Sequence, residues 1–311
     1  MRIASRPIAV LSFCLLALCL RAEEGAGKTM LWKVTSDTGG EAYLLGSVHV
    51  MKKEIYPLPK VMEEAFARSK FLVLEVDESK LDAAKVQKLM MEKGMYAAGD
   101  GLSKHIPKEL QEKLQAFLTK CGIPAAMAEK MKPWTLSITL TMTSMMKLGY
   151  DPEFDIDKHF LKQANADGKK VLELETAEAQ LEMLSGLSDE LQQKMLGVTL
   201  EELESKSTDI EDMIAAWSAG DAAKLDTVLH KQVVKHPEFK PFFEKMFDER
   251  NIGMTGKVEE YLKTKDIHFV VAGAGHMVGE KGIVSLLQKK KYKVEQISKA
   301  EVRDPEPAGA K

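Results

Sequence analysis

The sequence predicts an α/β fold whose core is a mixed, partly parallel sheet, formed by two related halves and interrupted by a large helical insertion. Three observations support this prediction. Short apolar runs of strand length occur near both ends of the chain and in its middle. Long, highly charged stretches with helical character separate these runs. Two short motifs, each following an apolar run, occur once in each half, which indicates that the halves are related.

The first predicted elements are a β-hairpin, a helix and a buried strand. Residues 30–35 and 42–45 are short apolar runs, and the glycine-rich segment 37–40 between them is typical of a tight antiparallel turn. A helix is predicted over residues 59–68, because proline is tolerated in the first turn of a helix. Residues 71–76 are almost entirely apolar, which favours a strand buried on both faces.

A first helical insertion is predicted over residues 81–168. Within it, residues 134–143 alternate between apolar and hydroxylated side chains, which is the period of a strand. However, Pro133 precedes this segment and Gly149 follows it, and the distance between them is longer than an ordinary strand. We therefore predict a helix here.

The second half of the chain repeats the pattern of strands and helices. A strand is predicted over residues 170–174, followed by a second helical insertion over residues 177–264. Another apolar run, residues 267–272, predicts a buried strand, and a helix over residues 283–289 and a strand over residues 292–297 complete the fold.

The two ends of the chain are expected to lie outside this fold. Residues 1–22 have a basic start, an apolar run over 8–20 and a small residue before two acids, which is typical of a cleaved secretory signal. The apolar run is too short for the hydrocarbon core of about 30 Å, so an uncleaved anchor is the weaker alternative. A single domain is expected over residues 23–299, followed by a disordered tail over 300–311. The protein is therefore expected to be exported, either to the periplasm or into the medium, with no stable membrane span after cleavage.

Charge and cysteine content restrict the expected partners. Removal of residues 1–22 takes away three arginines and no acids, so the formal charge changes from −3 to −6. An acidic chain does not favour binding to nucleic acid, and a peptide or a small molecule is the expected substrate. Cys121 is the one cysteine that remains, which excludes an intramolecular disulfide, and we interpret it as a packing residue. The sequence does not indicate an oligomeric state.

Two repeated motifs carry the candidate chemistry. An apolar strand ends in Gly-x-x-His at His49 and again at His276, and two other strands end in the acids Glu75 and Glu175. Ligands collect at the carboxyl ends of parallel strands, where these four side chains are expected. Two imidazoles and one or two carboxylates suit a divalent transition ion such as Zn, Mn or Co, with the spare carboxylate as a base.

Other readings of these residues remain open. Gly-x-x-His is a short pattern, and a histidine or an acid at the end of a strand can serve packing or capping alone. The sequence contains no His-Glu-x-x-His, Gly-x-Ser-x-Gly, phosphate-binding loop or paired Cys-x-x-Cys, so the corresponding enzyme classes lose support. The remaining histidines lack the strand-end context, and we interpret them as surface or packing residues: His105, His159, His230, His236 and His268.

An ordered set of motifs resembles a known family. The motifs are LWKV at 31–34, YLLGSVH at 43–49, YPLP at 56–59, LVLE at 72–75, KPW at 132–134, KVLELET at 170–176, ERN at 249–251 and GAGH at 273–276. Together they resemble the TraB/GumN family, relatives of the Tiki metalloproteases. The resemblance covers nearly the whole chain after the signal, and the ordered set is more specific than any single motif.

The resemblance implies a fold similar to the erythromycin-esterase and ChaN-like group, and it implies metal-dependent hydrolysis. By position, it suggests His49, Glu75 and His276 as metal ligands for a divalent ion (Mn, Co or Zn). It further suggests three pocket residues as catalytic candidates: Glu175, Arg250 and Asn251. In this reading Glu175 acts as a general base or supports the ligands, and Arg250 contacts a substrate carboxylate or an oxyanion.

The leading hypothesis is therefore an exported metal-dependent hydrolase, a peptidase of the Tiki type. The alternative is a non-catalytic envelope binding protein that sequesters a peptide or haem in the same cleft. A third possibility is a structural envelope protein whose histidines only pack. Fold alone does not decide among these functions.

Overall fold

A computed structural model describes residues 27–205 and 208–300 of the chain. Its centre is a six-stranded sheet with the spatial order β4-β3-β5-β2-β1-β6. Strands β4, β3, β5 and β2 are parallel to one another, whereas β1 is antiparallel to both β2 and β6, so the sheet is mixed as predicted. The strands are β1 (Lys28–Thr35), β2 (Glu41–Ser47), β3 (Phe71–Leu74), β4 (Lys170–Glu173), β5 (His268–Gly273) and β6 (Lys293–Ser298).

Fourteen α-helices are seen within the described ranges, and most of them lie in the two predicted insertions. One helix, α1 (Lys60–Arg68), joins β2 to β3. The first insertion contains α2 (Ala83–Gly94), α3 (Lys108–Cys121), α4 (Ala125–Ala128), α5 (Pro133–Lys147) and α6 (Ile156–Asp167). The second contains α7 (Ala177–Ser185), α8 (Asp189–Glu204), α9 (Asp209–Ala219), α10 (Ala222–Lys235), α11 (Lys240–Phe243) and α12 (Glu249–Leu262). Two helices follow β5, namely α13 (Ala274–Met277) and α14 (Ile283–Lys289).

The segment with the ambiguous period, now α5, is helical as predicted. Its hydroxyl groups explain the misleading alternation, because they bond within the helix. Ser137 Oγ donates to the Pro133 carbonyl at 2.9 Å, and Thr139 Oγ1 donates to the Thr135 carbonyl at 2.8 Å. Such bonds to the carbonyl four residues earlier allow serine and threonine to occupy helix interiors.

The chain has one large hydrophobic core and a smaller one inside the insertions. The large core surrounds the sheet, where Leu44, Val270 and Leu72 are fully buried. The smaller core joins α3 and α5 to α8 through residues such as Phe117, Leu140 and Leu196. The insertions therefore have packing of their own beside the sheet. Cys121 packs, partly buried, against this smaller core, in keeping with the predicted packing role.

Strand β4 forms one edge of the sheet, and two lysines cover it. Leu174 donates its N–H to the Leu74 carbonyl of β3, so the alternate residues Val171 and Glu173 face the free edge. Lys80 Nζ donates to the Val171 carbonyl at 3.1 Å, and a second ammonium group, at Lys257, donates to the Glu173 carbonyl at 3.2 Å. The free acceptors of this edge are thus occupied by ammonium groups.

Two glycines that end helices provide a matched test of backbone packing. Gly168 and Gly220 have φ values of +67° and +66°, and each caps a helix in the left-handed conformation. A Cβ at Gly168 would meet nothing within 4 Å, whereas one at Gly220 would lie 2.2 Å from the Lys28 carbonyl oxygen of β1.

Gly168→Ala is therefore expected to cost about 1–2 kcal/mol of unfolding free energy from the backbone conformation alone. Gly220→Ala should cost about 1 kcal/mol more, because the β1 backbone must move. Urea unfolding of both variants checks this difference, and equal losses would contradict it.

Three expectations stay predictions. The predicted signal peptide, residues 1–22, lies outside the described residues, and so does nearly all of the predicted tail at 300–311. The common origin of the two halves also stays a prediction.

Candidate functional site

The predicted motif residues follow four neighbouring parallel strands and lie along one edge of the sheet. Ser47 at the end of β2 pairs with Gly273 at the end of β5. Glu75 and Glu175 follow β3 and β4, and the Glu175 N–H donates to the Glu75 carbonyl at 2.9 Å. The strand order therefore places the Gly-x-x-His segments and the two glutamates side by side.

The glycines of the two motifs allow the segments to approach each other closely. A Cβ at Gly46 would lie 3.1 Å from Ala274 Cα, in the second motif. A Cβ at Gly273 would lie 3.4 Å from Glu75 Oε1. Trp217 Nε1 also donates to the Gly46 carbonyl at 2.6 Å, which fixes the end of β2. A larger residue at Gly46 would push the two motifs apart, whereas the contact at Gly273 is an ordinary van der Waals distance.

His49 faces two aspartates that the sequence analysis did not single out. Its Nδ1 lies 3.5 Å from Asp155 Oδ2 and 3.5 Å from Asp157 Oδ2. Each residue offers a ligand atom within 4.8 Å of the others, and this is the one such group of three or more found in residues 27–205 and 208–300. The His49 side chain is 59% exposed, while both carboxylates are largely shielded from solvent. We call these three residues the His–Asp–Asp group.

The start of α6 determines where both aspartates point. Asp155 is the N-cap residue, and its Oδ1 accepts hydrogen bonds from the backbone N–H groups of Asp157 (2.7 Å) and Lys158 (3.4 Å). Its other oxygen, Oδ2, is left to face His49. Asp157 Oδ2 is buried and makes no hydrogen bond of good geometry within the described part of the chain, although the nearby Ser47 hydroxyl lowers the Asp157 pKa. An incompletely satisfied buried carboxylate favours a proton or a cation nearby.

The electrostatics of the His–Asp–Asp group show that it attracts positive charge. The close Asp155 carboxylate, aided by Asp157, raises the pKa of His49 from 6.5 to about 10. Burial raises the pKa of Asp157 above its usual value, although the charge of His49 opposes this change. A proton on His49 therefore balances the carboxylates at neutral pH. A bound cation would displace that proton, so metal affinity should increase with pH.

The raised pKa of His49 predicts a pH-dependent stability in metal-free protein. A raised pKa stabilises the folded state below the unfolded value of 6.5, and this contribution is lost as the pH rises towards about 10. The difference in unfolding free energy between wild type and His49→Gln, measured with a chelator present, should shrink over this range. His105→Gln, which removes an exposed partner of Asp100, serves as the control. A difference that stays constant from pH 6.5 to 10 contradicts the prediction.

Glu75 lies beside the His–Asp–Asp group and is held by several donors. Its Oε1 accepts the Gly273 N–H at 2.7 Å, and its Oε2 accepts Gln180 Nε2 at 3.1 Å and Arg250 Nη2 at 2.7 Å. Burial alone would raise the pKa of Glu75, but positive charge on His276 and on Arg250 outweighs it and lowers the pKa. Since His276 contributes only when it is protonated, Arg250 is the permanent cause, and Glu75 remains ionised.

Arg250 connects the two glutamates. Its Nε and Nη2 donate to the Glu175 carboxylate at 2.7 to 3.1 Å, Nη2 also donates to Glu75, and Nη1 donates to the Met246 carbonyl. Most of its donors are therefore directed at the protein, which gives Arg250 a positioning role for the glutamates. Its predicted contact with a substrate carboxylate or an oxyanion stays a prediction.

His276 is buried, and its neighbours define its tautomer. Its Nδ1 lies 2.6 Å from Asn251 Oδ1, and Asn251 Nδ2 donates to the Lys281 carbonyl at 2.9 Å. Because the amide nitrogen must face that carbonyl, the amide oxygen faces the ring, and Nδ1 carries the proton. Burial lowers the pKa of His276 to about 4, so Nε2 keeps a free lone pair at neutral pH. The Nε2 atom lies 3.7 Å from Glu75 Oε1.

The predicted metal ligands thus lie at one site but divide between two groups. His49 faces Asp155 and Asp157, while Glu75 and His276 face each other. Their arrangement around a single ion stays a prediction. The sequence analysis missed the two aspartates, and the available signal was an Asp-x-Asp pair within the predicted helical insertion. Among the predicted catalytic residues, Glu175 contacts Arg250, and Asn251 orients His276.

A cleft of about 450 Å³ opens over the His–Asp–Asp group. His49, Glu75, Asp155 and Asp157 line it together with Gln180, whereas the other wall is mostly aliphatic. The site therefore combines potential ligands, ionised carboxylates and space for a small molecule or a peptide segment.

Comparison with known proteins agrees with this arrangement. The model of the TraB/PrgY/gumN family matches residues 30–296, which covers the sheet, both insertions and the site. The chain belongs to the TraB/PrgY/gumN family. The earlier resemblance to this family is therefore confirmed.

Two relatives cover most of this TraB/PrgY/gumN chain. The uncharacterized protein YbaP of Shigella flexneri is 24% identical over 255 residues, which is 82% of this chain and 90% of that protein. YbaP of Escherichia coli (strain K12) is 24% identical over 246 residues, which is 79% of this chain and 87% of that protein. No solved structure matches the chain. Where this family member is described, no helix combines the length and apolar character needed to cross a membrane.

Proposed function

We propose that this chain is an exported metal-dependent hydrolase that cleaves peptides. The observation that carries the proposal is the convergence of His49, Asp155 and Asp157 in a cleft that also contains the ionised Glu75. Membership of the TraB/PrgY/gumN family supports it, because that family is related to metallopeptidases of the Tiki type. Export is proposed from the signal-like character of residues 1–22.

The His–Asp–Asp group fits a divalent ion such as Mn, Co or Zn. One imidazole and two carboxylates suit these ions, and the buried Asp157 Oδ2 makes no hydrogen bond of good geometry among the residues described. His49, Asp155 and Asp157 would hold the ion. A bound divalent ion supplies Lewis acidity, which polarises a carbonyl group and makes water more acidic.

The neighbouring residues would handle protons. Glu75 is ionised, and its Oε1 can accept a proton from water that enters the cleft. His276 Nε2, 3.7 Å away, can share that proton, because its tautomer leaves the nitrogen unprotonated. Arg250 and Gln180 hold the carboxylate of Glu75 in place, and Glu175 anchors Arg250 from the other side. In this scheme Glu175 supports the site instead of touching the substrate.

Metal analysis and peptide cleavage test the proposal together. Wild type is expected to bind about one divalent ion per chain and to cleave members of a peptide library only when Mn, Co or Zn is present. His49→Ala should lose both properties, whereas His276→Gln should lose cleavage and retain the ion. If His276→Gln loses the ion as well, His276 is itself a ligand.

One control and two decisive outcomes complete this experiment. His105→Gln should behave as wild type, because His105 pairs with Asp100 in the insertion. Metal-dependent cleavage that survives His49→Ala contradicts the proposed site. Tight peptide or haem binding by wild type, without any turnover, supports the binding-protein alternative instead.

A further inference from the structure

The cleft has an aliphatic wall directly beside its polar groups. Eight side chains from β3, α2, α5, α6 and α7 and the segments that adjoin them form this wall: Leu74, Val76, Leu81, Val86, Met142, Leu161, Leu181 and Leu184. Apart from Leu74, they are only partly buried, so apolar surface remains open to a ligand. No aromatic residue lines the cleft, and Lys158 is the one lysine or arginine in its lining, as far as the described chain shows.

Aliphatic side chains of the wall lie close to the polar groups along the chain, within one residue or one helical turn. On α6, Leu161 lies four residues after Asp157, which places the two side chains on the same face. On α7, Leu181 and Leu184 follow Gln180, whose Nε2 donates to the Glu75 carboxylate. Side chains four apart on a helix have Cβ atoms about 5–6 Å apart.

The short distance between the polar groups and the aliphatic wall restricts which ligands the cleft can bind. A group held at the His–Asp–Asp group places its immediate neighbour, about one residue away, against the leucines of α6 and α7. An apolar neighbour is favoured there, because a charged group would lose water against the leucines, and, among the described residues, Glu78 and Lys158 are the only other charged groups that the cleft lining adds to the polar site. A flexible alkyl side chain suits this wall, which consists of branched and thioether side chains.

We infer that the cleft selects peptides that carry a large aliphatic side chain, such as leucine or methionine, next to the bond held at the His–Asp–Asp group. This inference rests on the proposed peptidase function and adds the class of substrate. Burial of such a side chain should favour it at least tenfold over aspartate or lysine at the same position.

Blocked hexapeptides of alanine and glycine with one varied central residue provide the probe. Leucine, methionine, phenylalanine, aspartate and lysine are compared at that position, with Mn²⁺ present. Dissociation constants come from competition binding, and kcat/KM is measured wherever cleavage occurs. The leucine and methionine peptides should bind with dissociation constants at least tenfold lower than those of the aspartate and lysine peptides, and kcat/KM should be at least tenfold higher wherever cleavage occurs.

A wall variant and a matched control decide whether α7 is responsible. Leu181→Asn should reduce the preference for leucine to less than threefold, while the stabilisation by Mn²⁺ remains that of wild type. Met91→Asn, a similar change at an exposed position on α2, should keep the full preference. Retention of the preference in Leu181→Asn, equal affinity for all peptides, or no binding of any peptide each overturns the inference.

The outcomes also separate this inference from the proposed function. Selective binding of the leucine peptide without cleavage leaves the aliphatic site valid and contradicts the hydrolase. Metal-dependent cleavage without side-chain preference contradicts the aliphatic site and leaves the hydrolase valid.

Discussion

Asp157→Asn is expected to abolish the stabilisation that the proposed ion, Mn²⁺, Co²⁺ or Zn²⁺, should give to the wild-type protein. The substitution keeps the shape of the side chain but removes the charge that faces His49 at 3.5 Å. An ion that binds only the folded state at about 100 times its Kd stabilises it by about 2.7 kcal/mol. The asparagine variant should show almost none of this gain. Thermal unfolding with and without each ion measures the effect.

The metal-free variant should remain folded, which makes the result interpretable. Burial already disfavours the ionised form of Asp157, so a neutral amide of the same shape is compatible with the folded state. Asp151→Asn is the matched control, because Asp151 caps the short turn just before α6 and is not part of the His–Asp–Asp group. Equal stabilisation by the ions in Asp157→Asn and wild type would remove the His–Asp–Asp group as the metal site.

Arg250→Met is expected to lower the unfolding free energy by about 3–5 kcal/mol, because it leaves two carboxylates near each other without their cation. Arg250 Nη2 lies 2.7 Å from both Glu75 and Glu175, and all three side chains are largely buried. The neutral Gln180 amide cannot replace the lost charge. Urea unfolding at neutral pH measures the loss.

A second substitution tests whether the two unpaired carboxylates cause this loss of unfolding free energy. Arg250→Met combined with Glu175→Gln should recover part of the loss, since only one buried carboxylate remains. Lys290→Met removes a surface ion pair with Glu259 and should cost less than about 1 kcal/mol. A loss from Arg250→Met as small as that of Lys290→Met, or no recovery in the double variant, would show that the glutamates do not depend on Arg250.

The sequence predicted the sheet well because its strands carry local signals. Apolar runs bounded by glycine, proline or acids coincide with β1 to β6 within one or two residues. The structure shortens the strand predicted over 71–76 to Phe71–Leu74, since Glu75 turns its carboxylate towards the Gly273 N–H. The prediction of a helix at α5 depended on the flanking Pro133 and Gly149, because the period of its side chains indicated a strand.

The site could be predicted only in part, because half of its contacts depend on how an insertion packs. Glu75 and His276 follow strands that lie side by side, so their placement at one sheet edge follows from the topology. Asp155 and Asp157 belong to α6, and only the packing of α6 against β3 and β4 brings them near His49. The repeated Gly-x-x-His motif also conceals a difference, since His49 is open to the cleft and His276 is buried against Asn251.

The two lysines at the β4 edge restrict how a peptide can be recognised. Many proteins bind an extended peptide as an additional strand, which requires free backbone acceptors at an open edge. Lys80 and Lys257 occupy the carbonyls of Val171 and Glu173, so a peptide cannot pair there without displacing both ammonium groups. Because strand pairing at this edge is blocked, the remaining way to recognise a peptide is through its side chains in the cleft. The same two contacts protect the chain from edge-to-edge self-association through β4.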